Sequence, residues 1–185
     1  MGAFYLTFVA VLLSGIAARD QVTVAALVRR QGPRFGVLAT SLVLAVGTCL
    51  IAAYAADRML HVVPGPARPV LVAIALAFAG LESLILTPRA NPHEPTHSLG
   101  ALAIVLLAHQ ATDAARFTLF GLAIGTGAPW AAGSGGVLAG FALAAIPFAF
   151  PDAVASRGMR LTRRAVGGLL LVVAISLFLN VRGIL

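Results

Sequence analysis

The sequence contains no lysine, a single cysteine and few charged residues of any kind. Charged residues occupy 10% of the 185 positions and hydrophobic residues 60%, and the mean hydropathy is +0.99. Soluble domains have about a quarter charged residues, so the composition excludes a water-soluble enzyme or binding domain. Cys49 has no partner in the chain for a disulfide and lies in an apolar run, where we expect it to pack. The chain is predicted to be an integral membrane protein.

The sequence contains several long apolar runs. A helix needs about 20 apolar residues to cross the hydrocarbon core of a bilayer. Four runs of this kind are uninterrupted, and two more, residues 3–28 and 98–124, carry polar groups in mid-course. The sequence therefore predicts six membrane-spanning helices. The uninterrupted runs are residues 35–56, 70–86, 137–150 and 165–179.

The chain aligns with itself at an offset of 95 positions, which places Gly32 on Gly127 and Asp57 on Asp152. Self-similarity of this kind indicates repeated structural units, and each unit holds three of the predicted helices. Because three is odd, the second unit must enter from the opposite side of the membrane, as in many secondary transporters. The predicted fold is an all-α membrane bundle of six helices in two inverted three-helix repeats. The predicted boundaries are 1–88 and 98–185, with a cytoplasmic connector at 89–97.

The arginines are distributed unevenly between the predicted connections. Cytoplasmic loops carry an excess of basic residues, so we expect the arginine-rich side to be cytoplasmic and both termini to lie in the periplasm of a bacterial inner membrane. Basic residues at span ends are expected to contact the bilayer surface and not nucleic acid. The richer side holds Arg29, Arg30, Arg34, Arg89, Arg157, Arg160, Arg163 and Arg164, and the other side holds Arg58, Arg68 and Arg182.

The first helix of each predicted repeat carries polar residues in mid-course. Under the same offset, "GIAARDQ" at residues 15–21 aligns with "QATDAAR" at residues 110–116. A charge at this depth costs at least about 2.5 kcal/mol and normally faces a partner or a water-filled cavity. We therefore predict that the two segments meet at a shared transport site, and that Gly15 and Thr112 let the helices bend there. The predicted site consists of Arg19, Asp20, Gln21, Glu82, His109, Gln110, Thr112 and Asp113.

Two other interpretations of these segments stay open. If the first helix ended near residue 18, Arg19 and Asp20 would be interfacial residues before an amphipathic segment. Alternatively, Arg19 with Asp113 and Asp20 with Arg116 would form structural ion pairs that tie the repeats together and cancel the charge of the site.

Two further ionisable residues belong to the prediction. His109 is a candidate proton relay, because the charge of histidine changes near neutral pH. Alternatively, His109 is a structural residue that is hydrogen-bonded within the helix bundle. Glu82 lies inside a predicted span, so it is expected to face the protein interior or a neighbouring arginine.

This layout resembles the Gdt-one family of cation:proton exchangers, also called uncharacterised protein family sixteen, within the lysine-exporter superfamily. The family motif, once in each repeat, is Glu-x-Gly-Asp-Lys/Arg-Ser/Thr, usually followed by Gln. Arg19, Gln21 and Asp113 keep the residue type of the motif, whereas Gly15 and Gln110 stand where the family has glutamate. The resemblance implies exchange of Mn²⁺ or Ca²⁺ for protons, with Asp113 and Asp20 as metal ligands and no bound cofactor.

The two absent glutamates motivate other functions. Hard divalent cations need several oxygen ligands, preferably anionic, and only the carboxylates of Asp113 and Asp20 are left in the two segments. One alternative is a transport-inactive membrane scaffold or subunit. Another is an exporter of an uncharged or anionic solute, which Arg19 and Arg116 would suit better than a metal ion. Each of these is compatible with a homo-oligomer.

The predicted connector contains His-Glu-Pro-Thr-His at residues 93–97, a formal match to the zinc-protease signature His-Glu-x-x-His. That chemistry needs both histidines on one face of a regular helix, with the glutamate as general base. Pro92 and Pro95 disfavour such a helix. We therefore predict a solvated connector, with loose metal binding as the alternative, and no enzymatic activity for the chain.

Overall fold

The computed structural model describes residues 1–86 and 98–183, which are helical with no strand among them. The motif at residues 93–97 and almost all of the predicted connector lie outside these residues. The helices are α1 (Gly2–Ser14), α2 (Arg19–Gln31), α3 (Phe35–Val62), α4 (Arg68–Ile85), α5 (Leu99–Ala111), α6 (Ala114–Thr126), α7 (Pro129–Ala149), α8 (Pro151–Val154) and α9 (Arg157–Val181), with a 3₁₀ turn at Gly65–Ala67.

Within the described ranges, four helices are long and apolar enough to cross a membrane, namely α3, α4 with the 3₁₀ turn before it, α7 and α9. They match the four uninterrupted apolar runs of the sequence to within one residue at the ends of α4 and α7. Helices α1 and α2 together would make a fifth span, bent by 59° at the break between them, and α5 and α6 are shorter apolar helices. The protein is therefore all-helical, with four or five apolar helices able to span a membrane.

Both polar segments interrupt a helix where the sequence predicted a bend. Helix α1 ends at Ser14 and α2 begins at Arg19, and the C-cap of α5 is Thr112. Ala17, in the first break, has a φ of 51°, and every other positive φ in the described chain belongs to a glycine. A left-handed conformation costs an L-residue about 1–2 kcal/mol because its Cβ approaches the next carbonyl oxygen. The turn at Ala17 therefore strains the backbone locally.

Replacing Ala17 with glycine is expected to raise the thermal midpoint of the detergent-purified protein. Glycine removes a penalty of about 1–2 kcal/mol, which exceeds the roughly 0.4–1 kcal/mol lost through its greater freedom in the unfolded chain. Ala26→Gly, inside α2, is the matched control and should lower the midpoint, since glycine weakens a helix interior. Circular dichroism measures both. Equal decreases in the two variants would show that the turn at Ala17 is not strained.

The helices pack through small side chains. Gly135 of α7 lies so close to α1 that an added Cβ would overlap the carbonyl oxygen of Phe4. Gly80 of α4 and Gly167 of α9 approach each other in the same way, with 3.1 Å between a Cβ built at Gly167 and the Gly80 carbonyl oxygen. Small residues allow this close backbone approach between helices in membranes. Cys49 of α3 is buried against α7, and its thiol donates to the Gly136 carbonyl at 3.4 Å.

The bounds of α2 and α6 follow the offset of 95 positions. Helices α2 and α6 have 13 residues each, and their first residues, Arg19 and Ala114, are aligned by it. Gly32 and Gly127, which follow these helices, both have a positive φ, of 76° and 63°. Helix α6 packs on α4, α1, α3 and α7, whereas α2 packs on α7, α8 and α5.

Candidate functional site

The two polar segments contact each other directly. The Arg19 guanidinium donates from Nη2 to the Thr112 hydroxyl at 2.7 Å and to the Thr112 carbonyl at 3.3 Å. The Gln110 amide nitrogen donates to Oδ2 of Asp20 at 3.0 Å. The first helix does end before Arg19, as one alternative from the sequence required, yet Arg19 and Asp20 bind the second segment. The predicted meeting of the two segments is thus what the structure shows.

Asp113 begins α6 and organises the buried part of the site. Its backbone carbonyl accepts the amide of Arg116 at 3.1 Å, and its Oδ2 lies 3.8 Å from Nη1 of Arg116. The same guanidinium donates from Nε to the Thr48 hydroxyl at 3.0 Å and from Nη2 to Oε1 of Gln110 at 3.3 Å. Asp113 is only 3% exposed. Residues from α3, α5 and α6 are therefore joined by one polar network around Arg116.

Glu82 of α4 extends this network to two more helices. Its Oε2 accepts a hydrogen bond from Nη2 of Arg163, on α9, and its Oε1 lies 3.3 Å from Nε of Arg19, on α2. Nη2 of Arg163 is also 3.9 Å from Oδ1 of Asp113. Arg163 thus bridges two buried carboxylates. We call the six charged residues of the network the central cluster: Arg19, Asp20, Glu82, Asp113, Arg116 and Arg163.

The ion pairs of the central cluster differ from those considered in the sequence analysis. Arg19 pairs with Glu82 and not with Asp113, and Arg116 pairs with Asp113 and not with Asp20. The pairing of Arg116 is local, because residues three apart on a helix are neighbours. Arg19 reaches α4 because the break before α2 places its side chain beside Thr112 and Glu82.

The sequence places Arg163 in a connection between spans, whereas the structure places it inside a helix. It is the seventh residue of α9, which begins at Arg157 behind a Ser156 N-cap, and it is 2% exposed. One signal in the sequence could have located it: Arg163 precedes Gly167 by four residues, so both lie on one helix face. A face that carries a small residue is where another helix approaches closely.

The remaining predicted residues lie around the central cluster in different roles. Gln21 is buried and donates its amide to the Leu143 carbonyl at 2.9 Å, so it attaches α2 to α7. Thr112 is exposed and donates to the Ala108 carbonyl at 3.0 Å while accepting from Arg19. His109 is half-buried in the last turn of α5. Thr48 is a site residue that sequence reasoning missed, because a threonine in an apolar helix usually bonds its own backbone, as Thr48 also does to Leu44 at 2.8 Å.

Two cavities border the central cluster. One, of about 410 Å³, is bounded by α3, α4, α5 and α6 and reaches Thr48 and Arg116 along otherwise apolar side chains. The other, of about 290 Å³, lies between the end of α4 and the start of α9 and reaches Arg163. Asp113 lines neither of them. The second cavity is lined by Ser83, Leu86, Arg157, Arg160, Leu161, Arg163 and Arg164.

The central cluster combines guanidinium groups with carboxylates in equal number. It has three arginines for three carboxylates, and within the described ranges no three His, Cys, Asp or Glu side chains are grouped so as to hold a metal ion. The two predicted metal ligands are already engaged, Asp20 by Gln110 and Asp113 by Arg116. Arginine stays charged and presents several donors in a fixed plane, which matches planar or tetrahedral oxyanions.

Comparison of the chain with protein-family models, with curated proteins and with solved structures finds no match. The resemblance to the Gdt-one family therefore depends on the motif residues Arg19, Gln21 and Asp113 and on the layout of the helices. The contacts of the central cluster carry the functional argument.

Proposed function

We propose that this protein is a small secondary transporter of a bacterial inner membrane that moves a small anionic solute through the central cluster. One observation carries the proposal. Three guanidinium groups and three carboxylates form one network at the places where two apolar helices are broken. Ionisable groups among membrane helices normally line a substrate or ion pathway. Broken helices are the usual source of such sites in transporters.

The arrangement of the helices supports two inverted repeats. Counting α1–α2 and α5–α6 as one broken crossing each gives three crossings before residue 88 and three after residue 98. An odd number per repeat inverts the second copy, and the aligned bounds of α2 and α6 follow the same offset as the two polar segments. With the arginine-rich connections in the cytoplasm, both termini are periplasmic.

The three guanidinium groups of the central cluster suit an anion better than a divalent cation, because its carboxylates are already engaged. Arg19, Arg116 and Arg163 repel a metal ion at close range, and a hard cation such as Mn²⁺ or Ca²⁺ needs several free oxygen ligands. Both motif glutamates are replaced, by Gly15 and Gln110. Exchange of Mn²⁺ or Ca²⁺ stays a prediction of the family resemblance alone. It has its own test, since Asp113→Asn should then abolish manganese and calcium flux.

Flux measurements in proteoliposomes test the proposed function. We expect uptake of at least one of nitrate, sulfate, phosphate or acetate, and a decrease of at least about tenfold in Arg19→Gln, which is the size of a lost charge-assisted hydrogen bond of about 1.5–3 kcal/mol. Arg19 suits this test because Glu82 keeps Arg163 as a partner when Arg19 is replaced. The control is Arg58→Gln, which removes an exposed arginine of α3 and should leave flux unchanged. Flux of metal ions without flux of any anion would contradict the proposal.

A transport-inactive scaffold or subunit is the second candidate. It is favoured by the internal pairing of the central cluster and by the position of Asp113, which is 3% exposed and lines neither cavity. This candidate predicts a folded protein without flux for any of the four anions or for Mn²⁺ and Ca²⁺. It further predicts that the Arg19→Gln variant complements a deletion strain as well as the parent protein does.

A further inference from the structure

The cavity between α4 and α9 has four arginines in its lining. Arg157, Arg160 and Arg164 are exposed and follow one another at spacings of three and four, which places them on one face of α9. Arg163, the fourth, is buried and belongs to the central cluster. We propose that this cavity binds an oxyanion of the phosphate class and is the entrance through which such an anion reaches the central cluster.

Two buried side chains in the lining have polar atoms without a partner. Nε and Nη1 of Arg163 have no hydrogen-bond acceptor among the residues that the structure describes, although both atoms are buried. The hydroxyl of Ser83, on the facing helix α4, is likewise buried and without a partner in that part of the chain. A buried polar group left unpaired is unfavourable, and both residues line the same cavity. A ligand with several acceptor oxygens would satisfy both.

The charge around the cavity selects an anion. Glu82 and Asp113, the carboxylates nearest to Arg163, both face its Nη2 and leave its other two nitrogens unbonded. Among the described carboxylates, none lies within 4.0 Å of a nitrogen of Arg157, Arg160 or Arg164. The cavity also borders the start of α9, where the helix dipole favours negative charge.

The geometry favours an oxyanion over a halide. The four guanidinium groups that line the cavity from one helix offer many N–H donors, and only an anion with several oxygens can accept from more than one of them in bidentate fashion. Inorganic phosphate and the phosphate of an anionic phospholipid headgroup share this chemistry. This inference rests on the proposed function only in making the cavity an entrance; the binding itself does not depend on transport.

Binding is measured on the full chain, purified in detergent and depleted of lipid. We expect inorganic phosphate to raise the thermal midpoint, while sodium chloride at equal ionic strength does not. Arg160→Gln combined with Arg164→Gln should weaken phosphate binding by at least about tenfold, and both side chains are exposed, so the double variant is expected to fold. Arg58→Gln, which removes an exposed arginine outside the cavity, should bind phosphate as the parent does.

Measurements in nanodiscs of defined lipid composition distinguish free phosphate from a phospholipid headgroup as the ligand. Stabilisation by phosphatidylglycerol relative to phosphatidylcholine, lost in the double variant, would identify the headgroup as the ligand. Stabilisation by inorganic phosphate in both lipids would identify the free anion. The inference is overturned if phosphate and chloride act alike, or if the double variant and Arg58→Gln bind phosphate equally. Anion flux that survives in the double variant would overturn the entrance and leave the proposed function intact. Phosphate binding without flux of any anion would overturn the proposed function, and the entrance with it, and leave the binding site intact.

Discussion

Glu82→Gln is expected to lower the free energy of unfolding by about 3–5 kcal/mol, the usual effect of removing one partner from a buried ion pair. Glu82 is 6% exposed and is the partner of both Arg163 and Arg19. The amide keeps the size of the side chain but not its charge. Arg163, itself 2% exposed, would then have only the more distant Asp113 as a counter-charge, at 3.9 Å.

A matched control exists at the surface of the same protein. Asp152→Asn also converts an acid to its amide beside an arginine, since Asp152 lies 3.9 Å from Arg29, but its side chain is 89% exposed. Exposed ion pairs contribute about 0–1 kcal/mol, so this variant should unfold close to the parent. Unfolding in mixed detergent and SDS micelles, followed by circular dichroism, gives both free energies.

Restoring charge balance should recover part of the lost stability. In the double variant Glu82→Gln/Arg163→Gln, no unpaired arginine is left at this position on α9, and two amides can bond each other between α4 and α9. We expect the double variant to be more stable than Glu82→Gln, because an uncompensated buried charge is worse than a missing pair. If the double variant loses the sum of the two single losses, Glu82 and Arg163 are not coupled and the central cluster is not a charge network.

Gly167→Ala and Gly168→Ala, neighbours in α9, are expected to change stability in opposite directions. A Cβ at Gly167 would lie 2.7 Å from Cβ of Ser83 and 3.1 Å from the Gly80 carbonyl oxygen, whereas a Cβ at Gly168 meets no atom within 4 Å. Overpacking of the first kind costs about 1–3 kcal/mol. Alanine in an open helix position stabilises by roughly 0.5–1 kcal/mol over glycine.

The effect of Gly167→Ala should extend to the central cluster. Separation of α4 from α9 moves Glu82 away from Arg163, which lies one turn from Gly167 on the same helix. The variant is therefore expected to lose both stability and anion flux, while Gly168→Ala keeps the flux. The same unfolding and proteoliposome assays measure these effects. Two alanine variants of equal stability would mean that α4 and α9 are not in close contact at Gly167.

The long helices could be predicted because each carries its own signal. An uninterrupted apolar run of this length is sufficient to predict helices such as α3 and α4, since a helix satisfies all the backbone groups of the run within one segment. The predicted first and last residues of the helices were less accurate than the prediction that the helices exist. Helix α9 begins at Arg157, well before the apolar run at residues 165–179, because arginines in the first turns of a helix keep their side chains in water while the backbone stays helical.

The meeting of the polar segments could also be predicted, but their pairing could not. A charge within an apolar helix requires a partner, and the offset of 95 positions indicated which segments correspond. The choice between Glu82 and Asp113 as partner of Arg19 depends on how each helix is rotated about its axis. That rotation is set by contacts distant in sequence, such as Gly80 against Gly167.

The equal number of arginines and carboxylates in the central cluster has a consequence for energy coupling. A site that is electrically neutral when empty gains a net negative charge when a monovalent anion enters, and an uncompensated charge inside a membrane is strongly unfavourable. On the proposed function, each monovalent anion must therefore arrive with one proton, and Glu82 and Asp113 are the buried carboxylates able to accept it. Transport would then be electroneutral, with a stoichiometry of one proton per anion, and it would respond to a pH gradient but not to the membrane potential.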